Sequence, residues 1–180
     1  MPLEPPPPEV GFDAPPLRLT QLQRDLVAAV VTGQFAGLVM LAAMMVGHGL
    51  FLSGDPLLPL RAIGSIAYGE AALRGDAAAL TVGFLVHMLG PTLFWSLVFG
   101  VLVRATNLRD GVGVAALGPL VGMASQLVDV DLLLPPLARD VSWTSEFLGI
   151  KSWFWHLVFG LALTTFPRVY AWLFPADNGR

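Results

Sequence analysis

The sequence has no cysteine and few charged residues. Because none of its 180 residues is cysteine, disulfide bonds, thiolate metal sites and cysteine nucleophiles are excluded. Only 13% of the residues are charged, compared with roughly 25% in an ordinary soluble domain. The net charge is only -3, so the chain lacks the basic surface that nucleic-acid binding requires, and no nucleic-acid partner is expected.

The common enzyme motifs are also missing from the sequence. There is no phosphate-binding loop ending in Gly-Lys-Ser/Thr, no GxGxxG fingerprint and no GxSxG nucleophile elbow. These absences favour a non-catalytic protein over an enzyme.

Long apolar segments are what the sequence has in abundance. Four of them reach the roughly 20 residues needed to cross a bilayer, at residues 26–52, 78–103, 112–134 and 152–174. Because a spanning segment must satisfy its own backbone hydrogen bonds, we predict an all-α integral membrane protein with four transmembrane helices in contact with lipid. This bundle occupies residues 21–175, between a proline-rich arm at residues 1–20 and a short tail at residues 176–180.

The basic residues predict the orientation of the bundle. More of them lie on the side of the two chain termini than on the opposite side, where acidic residues are also mixed in. Since cytoplasmic loops carry an excess of Lys and Arg, we expect both termini in the cytoplasm. The richness in Ala, Gly, Leu, Pro and Arg is typical of a GC-rich bacterial genome, so the predicted location is a bacterial inner membrane.

Two segments of similar sequence suggest an internal duplication. FWSLVFG at residues 94–100 and FWHLVFG at residues 154–160 differ at one position. Upstream, DPLLPLR at residues 55–61 resembles DLLLPPLAR at residues 131–139. Because both matches occur in the same order, we interpret the bundle as a duplicated helical hairpin in a parallel repeat.

Polar side chains gather in one half of the predicted membrane region. His48, His87 and His156 are the histidines of the chain, and the third segment adds Gln126 and Asp129. Ionisable groups in a bilayer are costly and usually face the bundle interior or a water-filled cavity. The predicted kink at Pro91 would free the carbonyl of His87, four residues earlier.

Four interpretations of these polar residues remain open. His48, His87 and His156 could bind a metal together with Asp129 or Asp131. His87 and His156 could instead be the axial ligands of a haem. A quinone or lipid headgroup could occupy a pocket at the same level. The simplest interpretation is that the histidines only hydrogen-bond to neighbours or to headgroups.

Glycine pairs predict where the helices pack. Gly33 and Gly37 form a GxxxG pair in the first segment, and Gly118 and Gly122 form another in the third. Such pairs let two helix backbones approach closely in a membrane. We expect them to hold the helices of this chain together.

The first predicted hairpin carries a family resemblance. AGLVMLAAMM at residues 36–45 and LVHML at residues 85–89 resemble YagU-like small bacterial inner-membrane proteins. The resemblance implies a membrane location and a helix count, with no residue roles. Because the chain lacks a catalytic constellation, has helices rich in small residues and carries an arm able to dock on a partner, we expect a non-catalytic accessory subunit of a larger bacterial membrane complex. That complex is expected to be respiratory or photosynthetic, with other membrane subunits as partners. The alternatives are a haem- or metal-binding protein that uses His87 and His156, or a small oligomeric transporter.

Overall fold

The fold is known from a computed structural model that describes residues 19–75, 77–137 and 150–175. These residues form helices and turns, with no strand among them. Nearly all of the proline-rich arm and the whole tail at residues 176–180 lie outside the described residues.

The first helix, α1, spans Gln21–Phe51. It begins earlier than the apolar run predicted because Thr20 and Gln23 form a capping box. The Gln23 backbone N–H donates to Thr20 Oγ1 over 3.3 Å, and the Thr20 N–H donates to Gln23 Oε1 over 2.8 Å. These bonds satisfy backbone N–H groups that a helix start leaves unpaired. The polar first turn is therefore part of the helix.

Among the described residues, two further helices are long and apolar enough to cross a membrane, and they are called the second and third crossings after that predicted role. The second crossing is one helix with a kink. It consists of α3, Ala77–His87, a wide π-helical turn, Met88–Thr92, and α4, Leu93–Thr106. The turn contains Pro91, and Gly90 departs from helical geometry with φ -86° and ψ -105°. In this turn the Met88 carbonyl accepts from Gln34 Nε2 over 3.2 Å. The freeing of the His87 carbonyl stays a prediction.

A shorter helix, α2, precedes the kinked crossing and packs on its first half. It spans Leu58–Tyr68 and continues as a 3-10 helix over Gly69–Arg74. Gly64 lies against the Ala79 carbonyl, and Gly83 lies against the Leu60 carbonyl. These contacts run α2 antiparallel to α3, and they place two of its side chains beside the cavity described below.

The third crossing is continuous over Gly111–Leu137. It consists of α5, Gly111–Ser125, a π-helical segment, Gln126–Leu133, and the short α6, Leu134–Leu137. Asp110 caps its start, since Oδ1 accepts from the Gly113 N–H over 2.7 Å. The π-helical segment is the part that carries the polar residues predicted to form a site.

The fourth predicted segment is two helices rather than one. These are α7, Ile150–Leu163, and α8, Phe166–Leu173, separated by a turn at residues 164 and 165. Pro167 lies in the first turn of α8, where its missing N–H is not needed. Among the described residues, three helices are therefore long and apolar enough to cross a membrane: Gln21–Phe51, Ala77–Thr106 and Gly111–Leu137.

The helices surround a common core in the order α4, α1, α7, α5. Extensive contacts join α1 to α4, α1 to α7, and α5 to α7, whereas α4 and α5 contact each other much less. The core contains Phe99, Val103, Val114, Leu163 and Phe166, all fully buried. The weakly packed side between α4 and α5 is where the cavity lies.

The predicted glycine pairs lie at these helix contacts. On α1, Gly33 faces Ser96 and Gly37 faces Thr92. On α5, Gly118 and Gly122 lie against the backbone of α7 around Gly160. Both pairs are thus used within the chain, at positions where a Cβ would overlap the neighbouring helix.

Candidate ligand cavity

A cavity of about 500 Å³ lies between the kinked second crossing and the third crossing. Its wall is mostly apolar and aromatic and includes Met44, Trp95, Trp155 and Phe159. Three further lining residues lie on the outer surface, since Phe94, Leu133 and Leu137 are about half exposed or more. The cavity therefore opens sideways, between the start of α4 and the end of the third crossing, where those three side chains lie.

His87 lines the cavity with its ring fixed against α1. Its Nε2 lies 3.1 Å from the carbonyl oxygen of Gly37, and the side chain is only 5% exposed. A carbonyl oxygen only accepts, so Nε2 must carry the proton. In the neutral ring this leaves Nδ1 as an unprotonated acceptor. Gly37, predicted only as a packing residue, therefore also orients a histidine.

His156 lines the same cavity from α7. Its Nδ1 lies 3.0 Å from the carbonyl oxygen of Ser152, one turn earlier, and must be the protonated nitrogen. Its Nε2 is then the free acceptor. The Ser152 hydroxyl is already used, because it donates to Gln126 Oε1 across the contact between the third crossing and α7. Gln126 Nε2 in turn donates to Asp131 Oδ1 over 3.1 Å.

Asp129 also lines the cavity, and it is tied to the opposite wall. Its Oδ2 accepts from the indole Nε1 of Trp95 over 2.8 Å. This bond links the third crossing to α4 across the side where the two helices pack least. It leaves Asp129 Oδ1 without a hydrogen-bond partner in the part of the chain that the structure describes. The sequence signal for Trp95 was its place in the repeated FW motif, but the partner was not foreseeable.

The structure does not bring His48 to this cavity. His48 is buried near the end of α1, with Nδ1 3.2 Å from Ser53 Oγ, beside a smaller pocket that Lys151 also lines. Within residues 19–75, 77–137 and 150–175, no three His, Asp or Glu side chains are grouped to hold a metal ion. The predicted metal set of His48, His87, His156 and Asp129 is therefore corrected: only the last three share a site, and they do not converge.

A second polar cluster lies at the other end of the bundle and was missed by sequence reasoning. Asp25 is completely buried, and its Oδ2 accepts from Arg109 over 2.7 Å. Gln21 Nε2 donates both to Asp25 Oδ1, over 2.9 Å, and to Tyr170 Oη, over 2.8 Å. The available signal was the four-residue spacing of Gln21 and Asp25, which puts both on one helix face.

These observations define a helical protein with three helices able to cross a membrane and a laterally open, mostly apolar cavity with histidine and aspartate in its wall. No family model, curated protein or solved structure matches the chain.

Proposed function

We propose that this chain is a multi-pass membrane protein that holds a lipid-like molecule in the cavity between its second and third crossings. The observation that carries the proposal is the position of the opening. Phe94 and Leu133 lie at the opening of the cavity, and both belong to helices long and apolar enough to span a membrane. A ligand would therefore enter from the lipid rather than from water. Pockets that are apolar with a few placed polar groups are typical of such ligands.

The proposal includes a fourth crossing made by α7 and α8 together. Near one end of α1, Gly47 lies against the Trp155 ring of α7. Near the other end, Gln21 bonds to Tyr170 of α8. The two positions on α1 are separated by roughly 39 Å at the usual helical rise, more than the hydrocarbon core of roughly 30 Å. The broken helix thus runs beside α1 for the full depth of a membrane, which supports four crossings. With four crossings both ends of the bundle lie on one side, and the bias of the basic residues favours the cytoplasm for that side.

We favour holding over converting the ligand, in keeping with an accessory subunit of a larger bacterial membrane complex. A nucleophilic hydroxyl needs a base within hydrogen-bond reach. In the described part of the chain, the lining hydroxyls of Ser125 and Ser152 donate to the Gly122 carbonyl and the Gln126 side chain instead. Neither serine is paired with a histidine, which supports a binding role.

The test is to identify what the protein retains on purification, with a pair of matched variants. Val128 lines the cavity, whereas the adjacent Leu127 does not line it and is half exposed on the outside. We expect Val128→Phe to fill the cavity and Leu127→Phe to leave it open. Mass spectrometry of solvent extracts from mildly solubilised protein should show one lipid-like species enriched in the wild type and in Leu127→Phe, and depleted in Val128→Phe. Equal amounts in all three proteins would contradict the proposal.

Haem is the second candidate occupant, because His87 and His156 line one cavity and each has one unprotonated ring nitrogen. His87 would have to coordinate through Nδ1, the nitrogen nearer its backbone, since Nε2 is bonded to Gly37. The same purification separates the two candidates. A Soret band that disappears in His87→Ala and His156→Ala would establish haem in place of a lipid-like molecule.

A further inference from the structure

The hydrogen-bond donors and acceptors in the cavity wall differ in whether they have partners within the protein. This difference indicates which kind of ligand the cavity fits. Most of the donors are occupied within the protein. Trp95 donates to Asp129, and the protonated nitrogens of His87 and His156 donate to helix carbonyls. The two lining serines donate as described above. Thr92 has the remaining lining hydroxyl, and it lies against Gly37 in the contact between α1 and α4.

Three acceptors in the wall have no hydrogen-bond partner among the described residues. They are Asp129 Oδ1, His87 Nδ1 and His156 Nε2. None of these three atoms is fully buried. Among the described residues, the fully buried side-chain nitrogen and oxygen atoms that lack a partner are the Nε atoms of Arg61 and Arg109. An acceptor facing an apolar cavity without a partner is costly. The ligand is therefore the natural source of donors.

From this arrangement we infer that the cavity selects a ligand whose polar head donates hydrogen bonds, an amphipathic alcohol or phenol, over one whose head only accepts them. The inference rests on the proposed function and specifies its ligand. The three acceptors do not converge on one point as metal ligands would. They fit separate hydroxyl hydrogens on one head, and the aromatic side chains of Trp95, Trp155 and Phe159 suit a flat ring.

The test compares a para-alkylphenol with its methyl ether, in which a methyl group replaces the hydrogen that the phenol donates. Each is titrated into delipidated full-length protein in lipid nanodiscs, and binding is followed by calorimetry. We expect the phenol to bind on the order of tenfold more tightly, the effect of about one hydrogen bond. Val128→Phe should weaken both probes, which shows that binding is in the cavity, and Leu127→Phe should weaken neither.

Two variants test which acceptors are responsible. In Asp129→Asn the side-chain carbonyl can still accept from Trp95, so the amide N–H group replaces the free acceptor with a donor. The preference for the phenol should shrink or reverse. His156→Phe removes a second acceptor and should also reduce it, which provides an independent check if the first variant does not fold.

The possible failures are distinguishable. If both probes bind equally well, or the ether binds better, and Val128→Phe still blocks them, the donor preference is wrong while the ligand-holding function stands. If neither probe binds, the proposed function and this inference are both overturned.

Discussion

The two main helix pairs of the molecule, α1 with α4 and α5 with α7, pack in the same register but with different atoms. Three contacts of the first pair have counterparts in the second pair. Successive contacts are four residues apart along each helix. Ala29 with Gly100 corresponds to Gly118 with Gly160, and Gly33 with Ser96 corresponds to Gly122 with His156. Gly37 with Thr92 corresponds to Gln126 with Ser152. Along the second helix of each pair, the three positions are aligned by the same offset as the repeated segments 94–100 and 154–160, which supports the proposed duplication.

The difference between the pairs explains why the site is where it is. In the first pair, the side chains of Ser96 and Thr92 lie between the helices. In the second pair, Gly122 faces the backbone of His156, whose ring lines the cavity instead. Backbone contact thus leaves a large polar side chain available for a site, whereas a small side chain in the contact is used for packing.

The largest effect is expected from adding a methyl group at the middle contact of each pair. In Gly122→Ala the new Cβ would overlap the His156 carbonyl and lie 2.9 Å from the Gly160 Cα. We expect a loss of about 3 kcal/mol in the free energy of unfolding, since overpacking against fixed backbone is costly. Gly33→Ala meets the Ser96 side chain instead. Reversible unfolding in mixed micelles would measure both losses.

A double-mutant cycle sharpens this prediction. Ser96→Gly removes the side chain that Gly33→Ala meets, so the two changes should compensate each other partly. His156→Gly cannot compensate Gly122→Ala, because the clash is with a carbonyl that glycine also has. Compensation in both pairs would show that the two contacts are alike.

An intermediate effect is expected at the ion pair between Asp25 of α1 and Arg109, which lies between α4 and α5 at the other end of the bundle. Asp25→Asn removes the carboxylate charge that pairs with the Arg109 guanidinium. Breaking a buried pair costs several kcal/mol, but Arg109 is one third exposed, so we expect about 2 kcal/mol. Asp55→Asn is the control, because Asp55 is about one third exposed whereas Asp25 is fully buried, and its change should stay within about 0.5 kcal/mol. Equal losses in the same unfolding assay would contradict this difference.

The smallest effect is expected at the third contact. Ser152→Ala leaves Gln126 Oε1 without its donor, and a buried acceptor left unpaired costs about 1 kcal/mol. It keeps the backbone carbonyl that orients His156. Thr92→Val at the corresponding place removes no side-chain hydrogen bond and should stay within about 0.5 kcal/mol. A larger loss for Thr92→Val than for Ser152→Ala would reverse the comparison.

Sequence patterns predicted the helical class and four segments able to span a membrane, because apolar runs of that length have few alternatives to helix. Three of the four are helices long and apolar enough to do so among the described residues. The sequence patterns predicted the first and last residues of the helices less well. The capping residues Thr20 and Gln23 are polar and fell outside the apolar run, and the turn after Leu163 has no strong breaker before Pro167. The grouping of His87, His156 and Asp129 could be suspected from their common level, but not their separation from His48.

What the sequence by itself determined is that this chain is helical, apolar along its length and equipped with a few polar residues on each long segment. The tertiary structure decided which of those residues share a cavity, because a helix that is apolar all round does not reveal which face turns inward. It also decided that Asp25 is buried beside Arg109 and that Asp129 reaches Trp95. Those pairings join residues distant in the chain, and only the packing of the helices brings them together.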